Sequence, residues 1–149
     1  KCCVDYLENR PEVDPERIGM MGLSQGGTMA TFTAAAEPRI KAADIICYIN
    51  SWKEFGIKQA NFCGSQIVPE IFRFFDTHDI AGLISPRPLL VEMGIYDKSF
   101  YLRDTIKGFE SLKNIYKAAE AEDKLKKDIH SGPHAFGGNQ AVSFFRENL

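Results

Sequence analysis

One stretch of the chain limits its possible folds more than any other: a short apolar strand that passes through a glycine-rich turn into an alanine-rich helix. Residues Arg17 to Leu23 form a continuous apolar run, RIGMMGL, which is typical of a strand covered on both faces in a parallel sheet. The turn Ser24-Gln25-Gly26-Gly27 follows, and Thr28 to Glu37 predicts a buried helix that stops at Pro38. This order predicts an α/β protein.

The same alternation continues to the end of the chain. We predict further strands at 42–49, 89–93 and 125–129, and helices at 2–7, 101–122 and 140–149, the last with Val142, Phe144 and Phe145 on its inner face. Residues 50–80 have no clear period and are too rich in aromatic side chains for a solvated loop, so we interpret them as a helical insertion. Strands that alternate with helices predict parallel pairing through right-handed crossovers, and we expect a single domain over residues 1–149.

Composition excludes several classes of protein. With 149 residues, of which 44% are hydrophobic, the chain can build a core without a disulfide or a structural metal. Its net charge is −2, and its lysines and arginines form no basic face, so we expect no nucleic-acid partner. Its apolar runs are far shorter than the ~20 residues that cross a bilayer, so we expect no membrane-spanning segment.

The cysteines argue against a zinc site. Cys2, Cys3, Cys47 and Cys63 form neither a CxxC pair nor a cluster with histidines at zinc-ligand spacing. Two of them are adjacent and Cys47 lies within an apolar run, a pattern that favours reduced core thiols over a disulfide framework. We therefore predict a reducing compartment, the cytoplasm, and no metal.

The turn after the first strand fits the pattern G-x-S-x-G. In this pattern a strand turns so sharply into a helix that the serine, here Ser24, is held in a strained conformation. Gly22 and Gly26 would allow the close approach of the backbone, and Gly27 would give room where the helix packs on the sheet. The N–H of Gln25, at the start of the helix, could stabilise an oxyanion. A tight turn in an unrelated doubly wound protein is the alternative interpretation.

A nucleophilic serine needs a histidine to accept its proton. We favour His134, which lies in the turn-rich loop SGPHAFGG between the last strand and the last helix, where its ring could reach the serine. His130, at the end of a strand, is more typical of a packing residue. His78 lies in a segment that resembles a helix start and is expected to have a surface role.

The histidine in turn needs a carboxylate that fixes its tautomer. Asp97 follows the third strand, at the carboxyl end where the ligands of open parallel sheets bind, although it could also be only a turn or N-cap residue. Asp104, Asp76 and Asp79 are the other candidates. The order Ser24, Asp97, His134 is the order expected for one known fold.

Three ordered segments give the chain a resemblance to the α/β-hydrolase superfamily, and in particular to its dienelactone-hydrolase and acetyl-xylan-esterase-like branch. They are GLSQGG at 22–27, IAGLISPRPLLVEMG at 80–94, similar to a strand that leads to the family's acid, and GPHAF at 132–136, similar to its histidine loop. The resemblance implies a serine esterase without metal or cofactor, with Ser24 as nucleophile, Asp97 as acid, His134 as base and Gln25 in the oxyanion hole. Lys98, Ser99 and Phe100 depart from the proline or aliphatic residue that usually follows the acid.

The resemblance also concerns size. The resemblance implies a sheet of eight strands, whereas this chain offers four. We therefore expect the chain to be the C-terminal portion of a three-layer αβα fold. The strand at 17–22 would then be an open apolar edge that a preceding segment or another subunit covers. Two alternatives stay open: a prolyl-oligopeptidase-like peptidase, which Gln25 argues against because such enzymes resemble G-x-S-Y-G-G, and a catalytically silent binding domain of the same fold.

Overall fold

A four-stranded parallel sheet forms the centre of the protein. The structure, a computed structural model, describes residues 1–59 and 68–149. The strands are β1 (Ile18–Leu23), β2 (Ile40–Ile46), β3 (Leu89–Gly94) and β4 (Leu125–His130), and they lie side by side in chain order. Leu23 is in register with Ile46, and Gly94 with His130, so the carboxyl ends of the strands meet at one edge. This confirms the predicted α/β class.

Helices connect and cover the strands. They are α1 (Cys2–Glu8), α2 (Gln25–Ala36), α3 (Thr77–Gly82), α4 (Leu102–Ala118) and α5 (Ala141–Asn148), with 3-10 turns at Pro15–Arg17, Ile71–Arg73 and Glu122–Lys124 and a π-helix at Trp52–Lys58. The sequence placed the start of α2 three residues late. Glycines commonly indicate a turn, but Gly26 and Gly27 lie in the first turn of α2, directly after the serine.

The sheet is covered on both faces, which gives three layers. Helices α1 to α4 pack on one face, where the larger core contains Ala30, Ile45, Val91 and Leu112. Helix α5 packs on the other face, where Phe144 contacts the cluster around Ala42 and Leu90.

The predicted inner face of the last helix was wrong for one residue. Val142 is 67% exposed, whereas Ala141 and Phe144 are buried and Phe145 packs partly against the sheet. At about 100° per residue, positions 141, 144 and 145 share a face from which position 142 is excluded.

The described part of the predicted insertion at 50–80 contains a π-helix and a 3-10 turn, and its aromatic residues differ in burial. Trp52 and Phe55 are the buried residues of the π-helix, while Phe72, Phe74 and Phe75 are exposed. Phe62 and Cys63 lie outside the described residues.

Strand β1 lies at an edge of this sheet. Within the described ranges it pairs with β2 only, and Met21 and Leu23 are 46% and 37% exposed. The position of β1 agrees with the expected open apolar edge; what covers that edge stays a prediction.

Candidate active site

Ser24 occupies a strained position between β1 and α2. Its backbone has φ +59° and ψ −115°, in the positive-φ half of conformational space that non-glycine residues rarely enter. Its N–H donates to the carbonyl of Ile46 at 3.0 Å, which ties the bend to the end of β2. The half-buried serine is thereby presented at the carboxyl edge of the sheet, directly before the N-terminus of α2.

Two of the three predicted glycines are required by close backbone contacts. A Cβ on Gly22 would lie 2.0 Å from the carbonyl oxygen of Gly26, and one on Gly27 would lie 2.6 Å from the Cβ of Tyr48. A Cβ on Gly26 would meet nothing within 4 Å. The prediction that Gly26 allows a close approach by lacking a side chain was therefore wrong. Instead, the backbone of Gly26 occupies the space that a side chain on Gly22 would take.

Asp97 and His134 form a hydrogen-bonded pair. Asp97 lies in the loop after β3 and is 5% exposed, and its Oδ2 is 2.7 Å from His134 Nδ1. Its Oδ1 accepts the backbone N–H groups of Ser99 and Phe100, at 2.8 and 2.9 Å. These bonds assign the proton of the neutral ring to Nδ1, which leaves Nε2 as an acceptor. This is the tautomer that a general base requires.

The ring of His134 also stacks on an aromatic neighbour that the sequence did not single out. The ring centroid of Phe100 lies 5.5 Å from that of His134, and the two ring planes are inclined by 11°. Phe55 in turn stacks on Phe100, with a distance of 4.2 Å between the ring centroids. Phe100 was noted only as a departure from the family pattern. Its contact with residue 134 depends on tertiary folding and leaves no periodic signal in the sequence.

The histidine loop crosses the end of β3 at close range. A Cβ on Gly94 would lie 2.3 Å from the carbonyl oxygen of Pro133 and 2.6 Å from that of Gly132. The N–H of Tyr96 donates to the Gly132 carbonyl at 3.0 Å. Gly94, at the end of a predicted strand, is therefore the residue that lets the loop carrying His134 approach Asp97.

The other candidate residues have different surroundings. His130 is buried at the end of β4, against the backbones of Gly132 and Gly137. His78 lies in α3 and lines a small polar cavity of about 110 Å³ beside α4. Asp76 is the N-cap of α3 and forms a capping box with Asp79, and Asp104 is buried in the first turn of α4 near Lys107. Of the histidines named, it is His134 that contacts Asp97.

Cys47 lies next to this pair. It follows β2 with a positive φ of 49°, is 1% exposed, and its Sγ donates to the carbonyl of Ala135 at 3.6 Å. Burial, and secondarily the charge of Asp97, raises the pKa of the thiol to about 12. Cys47 is a core thiol, as its apolar run predicts. Cys2 and Cys3 were also expected to be core thiols, but both are exposed.

Three buried carboxylates lie side by side on the sheet face that α5 covers. Asp44, Glu92 and Asp128 come from β2, β3 and β4 and are at most 3% exposed. Glu92 Oε2 accepts the N–H groups of Gly137 and Gly138, at 3.0 and 3.1 Å, and so holds the far end of the histidine loop. Burial and the neighbouring carboxylates raise the pKa of Asp44 to about 8. The sequence did not indicate this cluster, because Asp44 and Glu92 each lie alone within an apolar run and Asp128 follows two lysines.

Within residues 1–59 and 68–149, every helix is too short or too polar to cross a bilayer.

Comparison with known proteins decides the family. The acetyl xylan esterase (AXE1) family model matches residues 2–82, more than half of the chain. The chain belongs to the AXE1 family. YtaP of Bacillus subtilis (strain 168), named as a hydrolase, is 32% identical over 145 residues, which are 96% of this chain and 42% of YtaP. The AXE1 chain thus spans less than half the length of that relative.

Solved structures agree on the fold of this AXE1 chain. A glucuronoyl esterase from Solibacter usitatus superposes with a TM-score of 0.81 at 18% identity, over 99% of this chain and 46% of that one. A carbohydrate esterase family 15 glucuronoyl esterase from Caldicellulosiruptor kristjansonii gives 0.78 at 20% identity, over 96% and 45%. The three-layer fold is therefore that of the α/β-hydrolases, as the resemblance implied.

Proposed function

We propose that the protein is a serine hydrolase of carboxylic esters that uses Ser24, His134 and Asp97 as its catalytic triad. One observation carries the proposal: Ser24 is held at positive φ between β1 and α2, at the same edge of the sheet where Asp97 and His134 form their hydrogen bond. The elbow and the pair are joined through the end of β2, where the Ser24 N–H is bonded to Ile46 and Cys47 follows.

The reaction follows from the protonation state of the pair. Nε2 of His134 accepts the proton of Ser24 as Oγ attacks the ester carbonyl, and the backbone N–H of Gln25 donates to the developing oxyanion. The imidazolium is stabilised by Asp97 and returns its proton to the leaving alcohol. His134 then activates the water that hydrolyses the acyl-enzyme. Every step uses side-chain or backbone groups of the chain, and none calls for a metal or an organic cofactor.

The names of the relatives favour a carbohydrate ester as the substrate. The family model is described as acetyl xylan esterase and the two solved structures as glucuronoyl esterases. Between these we propose an acetyl ester, because the sequence match is to the acetyl xylan esterase family and the glucuronoyl esterases share the fold at 20% identity or less.

Labelling with a fluorophosphonate probe tests the nucleophile. We expect the intact protein to be modified at Ser24, and Ser24→Ala to lose both labelling and ester hydrolysis, with a fall in kcat of at least about a thousandfold. His134→Ala should lose hydrolysis as well, while His130→Ala, the matched change of the histidine at the end of β4, should retain it.

The same assay separates the alternatives. Labelling at another residue, or full activity in His134→Ala with loss in His130→Ala, would overturn the triad. Well-folded protein that is never labelled would support a silent binding domain. Turnover of an amide substrate at a rate equal to that of the matched ester would support a peptidase.

A further inference from the structure

Cys47 is a nucleophilic side chain that the proposed reaction does not use, yet it lies beside two groups that the reaction does use. Its Sγ, a carboxylate oxygen of Asp97 and a ring nitrogen of His134 all lie within 4.8 Å of one another. Nδ1 is the nitrogen that faces Asp97. Cys47 and Asp97 are nearly inaccessible to water, whereas the side chain of His134 is 29% exposed and leaves the cluster open on one side.

Thiolate, imidazole and carboxylate are the ligands that zinc binds in proteins. The usual bond lengths, about 2.3 Å to sulfur and about 2.0–2.2 Å to nitrogen and oxygen, place tetrahedral ligand atoms roughly 3.3–3.5 Å apart. The His134 Nδ1 to Asp97 Oδ2 distance of 2.7 Å would have to increase slightly, and the cysteine would have to approach the pair. The first change is small for the half-exposed histidine loop. The second brings the Cys47 Sγ, which lies within 4.8 Å of the other two ligand atoms, closer by at most about 1.5 Å.

We propose that Cys47, Asp97 and His134 form an inhibitory binding site for a thiophilic divalent cation such as Zn²⁺ or Cd²⁺. The cation replaces the proton of the Cys47 thiol, which is released to solvent, and it takes the lone pair of Nδ1 while the ring proton moves to Nε2. The charges balance, because one thiolate and one carboxylate neutralise the divalent ion. The water-poor surroundings strengthen the attraction between these ions.

Occupation of the site would prevent catalysis through the tautomer of His134. A ring that coordinates through Nδ1 carries its proton on Nε2, so it cannot accept the proton of Ser24, and Asp97 no longer receives the Nδ1 hydrogen bond. Cation binding itself is independent of the proposed function, whereas inhibition depends on it.

Titration of the intact protein with Cd²⁺ tests the binding. The test uses its triple variant Cys2→Ser, Cys3→Ser, Cys63→Ser, which keeps only Cys47 and removes the exposed thiols of Cys2 and Cys3 that would bind Cd²⁺ themselves. In this variant we expect a sulfur-to-cadmium charge-transfer absorption with a stoichiometry of one. Cys47→Ser added to it should lose the signal and bind at least about a hundredfold more weakly, since even changes behind a metal's ligands cost 10- to 100-fold. Unchanged affinity in Cys47→Ser, or loss of the signal in the triple variant, would overturn the site.

Three further measurements separate cation binding from inhibition. His134→Ala changes a half-exposed side chain and should also weaken Cd²⁺ binding, with circular dichroism used to show that each variant is folded. Ser24→Ala should bind Cd²⁺ as the unmodified protein does. In the active protein, Zn²⁺ should inhibit ester hydrolysis and a chelator should restore it. Binding without inhibition would overturn the inhibitory role, and a protein that binds Cd²⁺ but hydrolyses no ester would count against the proposed function alone.

Discussion

At the scale of single residues, the candidate site depends on two backbone conformations that side chains rarely adopt. Ser24 and Cys47 both have positive φ, and they follow adjacent strands at the same edge of the sheet. Such conformations cost of the order of 1–3 kcal/mol each and persist only where the surroundings enforce them. The surroundings here are backbone hydrogen bonds, from Ser24 to Ile46 and from Cys47 to Glu92, at 3.0 and 2.9 Å.

Phe100 positions the imidazole through its ring. We expect Phe100→Leu to lower kcat/KM for an ester by about 3- to 10-fold, because an aromatic pair is worth about 0.5–1.5 kcal/mol beyond the area it buries. Phe100→Tyr keeps the stack and should remain near the unmodified rate. Steady-state kinetics on the folded variants measures the effect.

Phe144→Leu is the matched control for that substitution. Phe144 is as deeply buried as Phe100, at 4% against 5% exposed. However, it lies in α5 and packs on the other face of the sheet. It should lose stability and keep kcat/KM. An equal loss of kcat/KM in the two leucine variants would show that Phe100 acts only as a core residue.

The candidate residues that the sequence suggests are those whose chemistry is carried by a local pattern. Ser24 lies between spaced glycines, and His134 lies in a turn-rich loop, so each was proposed from its neighbours in the chain. Phe100, Cys47 and Glu92 could not be found in this way. They contact the histidine loop from positions distant in sequence, Cys47 after β2, Glu92 within β3 and Phe100 after β3, and that proximity exists only once the sheet has formed.

At the scale of elements, Arg87 joins α2 to β2 and β3. Its guanidinium donates to the carbonyls of Ala34, Glu37 and Ile40 at 2.6 to 3.1 Å, and its own carbonyl accepts the Tyr116 hydroxyl of α4 at 2.8 Å. A cation at the C-terminus of a helix also interacts favourably with the helix dipole. This gives the arginine of the segment SPRP a role that the family resemblance alone did not explain.

We expect Arg87→Met to lower the free energy of unfolding by about 2–3 kcal/mol. The change removes donors from three carbonyls at once, and hydrogen bonds to charged groups contribute about 1.5–3 kcal/mol. Urea denaturation followed by circular dichroism measures it. Arg10→Met is the control, because Arg10 pairs with Glu12 on the surface with both side chains about half exposed, and it should change stability by less than about 1 kcal/mol.

Element positions were predictable where one physical signal dominated. Strands β1, β2 and β3 were found within a few residues because each is a compact apolar run between turn residues, and β4 was found as a strand whose lysines mark partial exposure. The start of α2 and the inner face of α5 were missed because a glycine pair and an extra apolar valine are ambiguous without the sheet they face. Which insertion aromatics are buried depends on tertiary contacts such as the stacking of Phe55 on Phe100, which the sequence does not specify.

At the scale of the whole molecule, the sheet carries a row of buried acids through its centre. Asp44, Glu92 and Asp128 lie on three neighbouring strands beneath α5, and Glu92 holds the histidine loop through Gly137 and Gly138. Like charges this close cannot all ionise without cost. The protonation state of Asp44 therefore couples the stability of the core to Glu92, the residue that holds the histidine loop.

The linkage predicts how stability depends on pH. The pKa of Asp44 is raised to about 8 in the folded protein from an ordinary value of 3.8, first by burial and then by Glu92. Between these pH values the folded protein holds a proton that the unfolded chain has released, so the free energy of unfolding should fall as pH rises from about 4 to about 8. Asp44→Asn stays neutral and should lose this dependence, becoming more stable than the unmodified protein by about 2–5 kcal/mol at pH 9 and by much less at pH 5.

Urea denaturation at pH 5, 7 and 9 measures the difference. Asp123→Asn removes a carboxylate that is 74% exposed, and it should leave the pH dependence as it is in the unmodified protein. If Asp44→Asn keeps the full slope, the proton resides elsewhere in the row, and the same measurement on Asp128→Asn locates it. If the slope disappears and ester hydrolysis at pH 9 also rises, the row acts on the site as well as on the core, because an ionised Asp44 repels Glu92 from the loop that carries His134.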